Sequence, residues 1–536
     1  MKRIFLKISL LTAAAALPES CDLDINKNPN NATAAVVTPD LVLPVAIAAT
    51  VYNQIYYYGR STAAYLVGYQ VPGEGLGGFG EIYTYNFTSS TFTGVWTETF
   101  ACLRNFNAII KTSEANPRYA FYGGVAHILK AYCYQLLVDA YGDVPYTEGL
   151  KGEGNLSPAF DKDAEVYKAL AAEIDDAIAI LKTGKDMAGG GNDDLVALSA
   201  GSDPVFGGDY TKWIQLANNI KLRLLVRARG AGIDNFVQAA FAGFSEEGFL
   251  KEDALVNPGY NASAQQNPYW TVYHSSVIGN ISYPAQYYIP SVYILSFYDG
   301  SKLTDSKRGS LLYRGWPSVP SHQLGNQTGR PYSPGYIWHI GTGAGLTASD
   351  AAGILKSRAA PAPLFFAFEA HFLLAEAALY GLDPDGSGLD AKAHFENGVK
   401  ASFDYLEREG AANSLPAGAN PQADAEAYIS ANSWSYLVNF DLADSHEKKL
   451  EAIITQKYIA SNILNANEAW NEFRRTGYPA VSGSAPRNTF VSVLSQSTRA
   501  DKLPVRLIYP QSEYNLNANT PKIEDAYSNP IFWDKN

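Results

Sequence analysis

Val166, Leu170, Ile174, Ile178 and Leu181 fall four, four, four and three residues apart, which sets them on one face of an α-helix. This pattern recurs along most of the chain and constrains the fold more than any other feature. Thr38-Pro39-Asp40 marks a helix start, with a capping hydroxyl, a proline at the first helical position and an early acid. Apolar residues then run to about Leu66. Helical patterns resume near Trp96 through Cys102, Phe106 and Ile110, and again over about 120–140, joined by a short Asn-Pro link. Two such helices form an antiparallel hairpin. Another helix starts near Asp161 or Asp163. Asp209 caps the next, which carries Trp213, Leu216, Ile220 and Leu224 on one face. Late helices are predicted over about 363–380, 390–409, 445–462 and 467–475. The fold class is therefore mainly α, a TPR-like array of helical hairpins, although no strict 34-residue consensus recurs.

Two stretches break the pattern. Pro72, Gly73, Gly75, Gly77, Gly78 and Gly80 make a flexible loop that leads into Tyr83, Tyr85 and Phe87, alternating like a short strand. Over 257–345 helical periodicity disappears, and Pro, Gly, Ser and Asn abound among many Tyr and Trp residues. A long irregular insertion in a compact protein is usually functional or disordered, and this aromatic density argues against disorder. Loop aromatics on a rigid helical body suit ligand contact. The candidate ligand residues are Tyr83, Tyr85, Trp270, Tyr273, Trp316 and Trp338. The competing explanation is that half or more of these rings pack beneath the insertion. For Trp96, on its helix, packing is the better explanation.

The N-terminus points to export. Lys2, Arg3 and Lys7 precede an apolar stretch from Ile8 to Leu17, about half a membrane span. It ends at Leu17-Pro18-Glu19-Ser20-Cys21, which reads as a bacterial lipoprotein signal with Cys21 as the acylated first mature residue. Pro18 and Glu19 depart from the usual small-residue lipobox, and a plain secretory signal is the alternative. The expected organisation is a signal peptide over 1–20, a lipidated polar tether over 21–37 and one helical body over 38–536. The formal net charge is −12, a poor match for nucleic acid or anionic lipid. Cys102 and Cys133 remain after lipidation. They could form a disulfide in an exported protein, but core-like surroundings favour two buried thiols.

Catalytic and metal motifs are weak. Gly73-x-Gly75-x-x-Gly78 follows a helical pattern and lacks the strand–turn–helix setting of a dinucleotide site. The 7 histidines include no pair at helical spacing, and no HExxH or CxxC occurs, so no metal site and no cofactor are expected. Asp383-x-Asp385-x-Ser387-Gly388 copies the start of a calcium loop but has His394 where the bidentate glutamate belongs; a helix–helix loop with Asp390 as N-cap is the simpler account. No GxSxG elbow or specific acid pair supports an enzyme. Lys221, Arg223, Arg227 and Arg229 form a basic stripe, best explained by pairing with acidic helices.

Many short motifs together carry a family resemblance. They include Cys21-Asp22-Leu23-Asp24-Ile25-Asn26, Asp139-Ala140-Tyr141-Gly142-Asp143-Val144-Pro145-Tyr146, Ser157-Pro158-Ala159-Phe160-Asp161, Asn257-Pro258-Gly259-Tyr260, Gln456-Lys457-Tyr458 and Arg474-Arg475-Thr476-Gly477-Tyr478-Pro479. In order and along essentially the whole mature chain, the sequence resembles the SusD/RagB family of nutrient-binding outer-membrane lipoproteins, especially its second, starch-binding-named branch. The resemblance implies a lipid-anchored, outward-facing protein without catalytic activity. It would capture an oligosaccharide, or else a peptide, and act as the lid of a SusC-type TonB-dependent transporter. It also directs attention to the loop before the Trp96 helix and to the irregular segment, while no single ligand residue transfers by motif. The rival readings are a TPR-like scaffold that binds only its barrel and, more remotely, a surface glycosidase or peptidase.

Overall fold

Several helices of this chain begin where a short polar side chain serves a free backbone N–H. The computed structural model describes residues 38–189, 194–331, 337–340 and 351–535. The expected signal, Cys21 and the tether lie outside the described residues, as do Tyr332 and Tyr336 of the irregular segment. Helix α1 spans Pro39–Asn53 and continues directly into a π-helix, Gln54–Ala63. Helices α2 (Thr93–Ala115) and α3 (Ala120–Tyr141) form the expected hairpin, with the Asn116 side chain accepting from the Arg118 N–H in the link. Helix α4 (Asp163–Gly189) packs on α3, where a Cβ on Gly124 would come within 2.8 Å of Leu181. Asp209 caps α5 (Tyr210–Ala228) by accepting from the Lys212 N–H.

The C-terminal half repeats the motif. Helices α6 (Ala367–Leu379) and α7 (Ala391–Glu407) pack side by side, and a Cβ on Gly398 would meet the Phe372 ring at 2.7 Å. Helix α8 (Pro421–Ala431), absent from the sequence expectation, follows an Asn420 cap with Pro421 in its first turn. Helices α9 (His446–Ala460) and α10 (Ala466–Thr476) follow, the latter stopping at Gly477 in the left-handed region. Among the described residues sheet is confined to two antiparallel pairs, β1 (Val71–Pro72) with β3 (Tyr288–Ile289) and β2 (Ala254–Val256) with β4 (Ala362–Phe365). No helix among the described residues is long and apolar enough to cross a membrane.

Lys221, Arg223 and Arg227 of the basic stripe lie in the core on α5, whereas Arg229 follows the helix, is exposed and lies over the Tyr380 ring at 3.4 Å. Arg227 pairs with Asp139 and Glu468, and Arg223 donates to Gln135 (2.7 and 3.0 Å) and to Glu369 (3.2 Å). Lys457 reaches Glu472 at 2.7 Å, and Arg474 donates to the carbonyls of Val505 (2.5 Å) and Asp139 (2.7 Å). Two family-like segments far apart in sequence, Asp139–Tyr146 and Arg474–Pro479, thus meet through buried charge. Such a cluster contributes little net stability over an apolar replacement, but removing one partner strands a charge. Lys221, at the edge of the stripe, pairs with Asp175 at 2.7 Å.

One local expectation is corrected. Tyr83 lies in a short helix, Gly80–Thr84, and Tyr85 follows at φ 57, so these residues form no strand. The segment has no paired edge to extend against; the nearby β1 pairs with β3 instead. Cys102 and Cys133 are buried free thiols.

Candidate functional site

The irregular segment builds its own small core. Short helices at Pro268–Tyr273, Tyr283–Tyr287, Val292–Leu295 and Ser306–Leu312 break its course. Trp270, Tyr273 and Trp338 are buried within it. Trp270 stacks on His274 at 4.3 Å, and Trp338 meets the rings of Tyr273 and Tyr313 at 5.6 Å each. Tyr85 is also buried, its hydroxyl accepting from the Ser492 N–H at 3.0 Å. Tyr83 is nearly covered, and its hydroxyl accepts from Arg330 at 2.9 Å. Trp316 is half-buried over Gly309, where an added Cβ would lie 2.9 Å from its ring. Tyr85, Trp270, Tyr273 and Trp338 therefore have packing roles here, Tyr83 is nearly closed off, and only Trp316 keeps a substantially open surface. Loss of helical periodicity removed the pattern that marks a core but not the drive to bury rings.

Accessible rings lie elsewhere, on a face the helical pattern concealed. Tyr52 at the end of α1 stacks on Tyr56 at 5.5 Å and 10°, and Tyr56 meets Tyr57 edge-on at 4.8 Å. The Arg60 guanidinium lies 5.1 Å from the Tyr56 ring and 5.8 Å from the Tyr288 ring. Tyr288 contacts Tyr283 at 5.6 Å, and Tyr283 contacts Tyr287 at 4.9 Å. The result is a continuous tyrosine ribbon with one cation at its centre. Tyr52 is 37% and Tyr283 41% exposed, Tyr56, Tyr57 and Tyr287 are half-buried, and Tyr288, which links the two halves, is buried. Burial opposes the charge on Arg60, but the hydroxyls of Tyr288, Tyr65 and Tyr56 hold its pKa above the ordinary value. The π-helix underlies half of this face, and π-turns recur at functional sites because they re-aim side chains.

Beside the ribbon, a cavity of about 700 Å³ opens between α1, α2 and the 258–277 segment. Val45, Tyr52, Tyr57, Glu98, Tyr260 and Gln265 are among its walls. Flat rings flanked by a few polar groups can hold a polar ligand that also presents apolar faces. The consecutive Tyr56-Tyr57-Tyr58, with Tyr52 one helical turn earlier, was the available sequence signal. Only Tyr58 of these four is buried.

The calcium-like loop is occupied by protein groups. The Lys251 ammonium pairs with Asp385 at 2.8 Å, and the Ser387 hydroxyl donates to Asp385 at 2.8 Å. Burial would raise this carboxyl, but Lys251 and Ser387 bring it down to about 2. Asp390 caps α7 through the Ala393 N–H. Among the described residues no group of three His, Cys, Asp or Glu side chains could hold a metal ion.

Two family descriptions match the chain. "Starch-binding associating with outer membrane" covers residues 29–271, and "Susd and RagB outer membrane lipoprotein" covers residues 345–532. Among solved structures, a SusD homolog from Bacteroides uniformis matches with a TM-score of 0.66 at 23% identity, covering 92% of this chain and 99% of that one. A chitin-binding SusD homolog from Flavobacterium johnsoniae matches at 0.67 and 20%, again covering 92% and 99%. A SusD homolog from Bacteroides fragilis matches at 0.61 and 20%, covering 90% and 94%. At these identities the likeness establishes the helical fold. No curated protein matches the chain.

Proposed function

The chain belongs to the SusD/RagB family, and from that premise we propose that it captures an oligosaccharide at the cell surface and passes it to a TonB-dependent transporter. The tyrosine ribbon carries this reading. Sugar rings present flat C–H faces bordered by hydroxyls, which suit stacking on Tyr52 and Tyr283 with polar contacts from Arg60, Glu98 and Gln265. Support for a glycan over a peptide comes from the starch-binding family description and the chitin-binding neighbour. The protein acts by binding, with no covalent step. In this reading Cys21 carries the lipid anchor on the outer membrane, and the body serves as the outward-facing lid of a SusC-type barrel.

Calorimetric titration of the soluble body with starch- and chitin-derived oligosaccharides, and with peptides, tests the ligand. Saturable binding of one glycan series, weakened by Tyr52→Ala and Tyr283→Ala, is expected. Binding of peptides alone would redirect the substrate class. Binding of nothing, with a barrel still co-purifying from gently solubilised outer membranes, would favour the scaffold reading. Cys21→Ala should release the protein from membranes that lack the barrel, since a single acyl chain contributes about 0.8 kcal/mol per buried CH₂.

A further inference from the structure

Two arginines stand on the tyrosine face, Arg60 and Arg330, and among the described residues neither forms an ion pair with a carboxylate. Arg60 is half-buried; its guanidinium donates to the Ser61 hydroxyl at 3.4 Å, and its Nε is buried without an acceptor. Its other neighbours are the rings of Tyr56 and Tyr288 and nearby tyrosine hydroxyls. Arg330, also half-buried, donates to the Tyr83 hydroxyl at 2.9 Å and to the Leu76 carbonyl at 3.2 Å.

Both arginines belong to one aromatic surface. Beneath Arg60 the Tyr288 ring meets Phe79 at 6.2 Å, and Phe79 meets Tyr83, which holds Arg330, at 5.8 Å. These three rings are buried, but Tyr283 supplies an open one beside them. It touches Tyr288 at 5.6 Å, and its hydroxyl lies within electrostatic reach of both Arg60 and Tyr83. Nearby carboxylates are placed elsewhere. Glu81 accepts from Thr88 and Thr91, Glu74 is exposed on the glycine-rich loop, and Glu98 lies on the cavity wall beside Tyr57.

A half-buried guanidinium has given up part of its water, and the chain carries 53 acidic residues against 41 basic ones. Deeper in the fold, Arg227 and Arg475 each meet two carboxylates. Arg60 and Arg330 lack the counter-ion that such charges usually have. Ring faces attract a cation but give its N–H groups no in-plane acceptor, whereas the guanidinium fork matches the paired oxygens of a carboxylate or a sulfate. We propose, on the glycan reading of the tyrosine face given above, that the glycan held there is acidic. Its uronate carboxylates or sulfates are received by Arg60 and Arg330, while the C–H faces of its sugars lie on the exposed tyrosines.

The test titrates the detergent-solubilised full chain with oligogalacturonate and hyaluronan oligosaccharides, which carry carboxylates, and with carrageenan oligosaccharides, which carry sulfates. Each is compared with the same oligomer made neutral by methyl esterification or desulfation. At least one acidic series binds saturably and at least about tenfold more tightly than its neutral counterpart. Its affinity falls as salt shortens the Debye length from about 10 Å to about 3 Å. Whichever series binds distinguishes carboxylate from sulfate. Arg60→Gln and Arg330→Gln each bring the acidic oligomer toward the affinity of its neutral form and leave the neutral form's own affinity unchanged. Arg60→Lys, which keeps the charge but not the fork, falls in between. Equal affinity for charged and neutral oligomers overturns the assignment and leaves the glycan reading in place. So does binding of starch- or chitin-derived oligosaccharides with no acidic series bound. Binding of no carbohydrate below about 10 mM overturns both. Masking the charge on the ligand needs no variant, so a variant that fails to fold does not decide the outcome.

Discussion

Arg475 of α10 and Glu376 of α6 face each other fork to fork, at 2.6 and 2.7 Å, and neither side chain is more than 5% exposed. The same guanidinium holds Glu472 at 2.5 and 2.8 Å. Burial alone would raise the Glu472 carboxyl, but Arg475 and Lys457 hold it far below the usual carboxylate range. One cation therefore fixes the position of α10 against the α6–α7 pair.

Arg475→Met should destabilise the fold by about 3–5 kcal/mol, because it leaves buried Glu376 without its cation and Glu472 with Lys457 alone. Adding Glu376→Gln should recover part of that loss, since Glu472 keeps Lys457 at 2.7 Å. Urea unfolding of the single and double variants measures both. A single variant within 1 kcal/mol of the parent, on the order of an exposed ion pair, would show that the pair is solvated.

Aromatic substitutions should sort into two classes. Trp270→Ala and Trp338→Ala empty buried volumes and should cost about 3–5 kcal/mol of stability. Tyr52→Ala and Tyr283→Ala remove exposed rings; they should leave the melting temperature nearly unchanged and weaken glycan binding by about 1–2 kcal/mol. Melting temperature and affinity, measured together on each variant, separate the classes. Selective loss of affinity in the Trp variants would move the site to the irregular segment.

His371 should give stability a specific pH dependence. Burial, reinforced by His394 and Lys251, lowers its pKa from the ordinary 6.5 to about 4. Between those values the unfolded chain holds more protons than the folded one, so stability rises with pH across that window. The contribution is fully present above pH 6.5 and is lost as pH falls through 4, with a size of about 1–3 kcal/mol after allowance for partial exposure. His371→Gln should flatten the stability profile between pH 4 and 6.5. An unchanged slope in the variant would assign that dependence to other groups.

The cysteines of the body should be inert and unpaired. Burial pushes both thiols up, Cys133 furthest, which suppresses the reactive thiolate. A thiol reagent should label neither Cys102 nor Cys133 in the native protein and both after denaturation, and reductant should leave the melting temperature unchanged. A drop in melting temperature on reduction would indicate a disulfide.

Local pattern determined where most of the long helices lie. The starts of α4, α5 and α7 are legible because Asp163, Asp209 and Asp390 sit one turn before apolar stripes, and capping and periodicity act within a few residues of the chain. The basic stripe on α5 was legible as a pairing surface for the same local reason. Helix α8 was not, since it buries only Pro421, Ala425 and Tyr428 and shows hardly any stripe. Which aromatics reach solvent was decided by tertiary structure alone. Tyr52 and Tyr58 occupy one continuous helical stretch, yet Tyr58 is buried and Tyr52 is exposed. Trp270 and Trp338 stand in aperiodic sequence, yet residues distant along the chain close over them. Burial depends on what packs against a ring from elsewhere, and neither composition nor spacing records that.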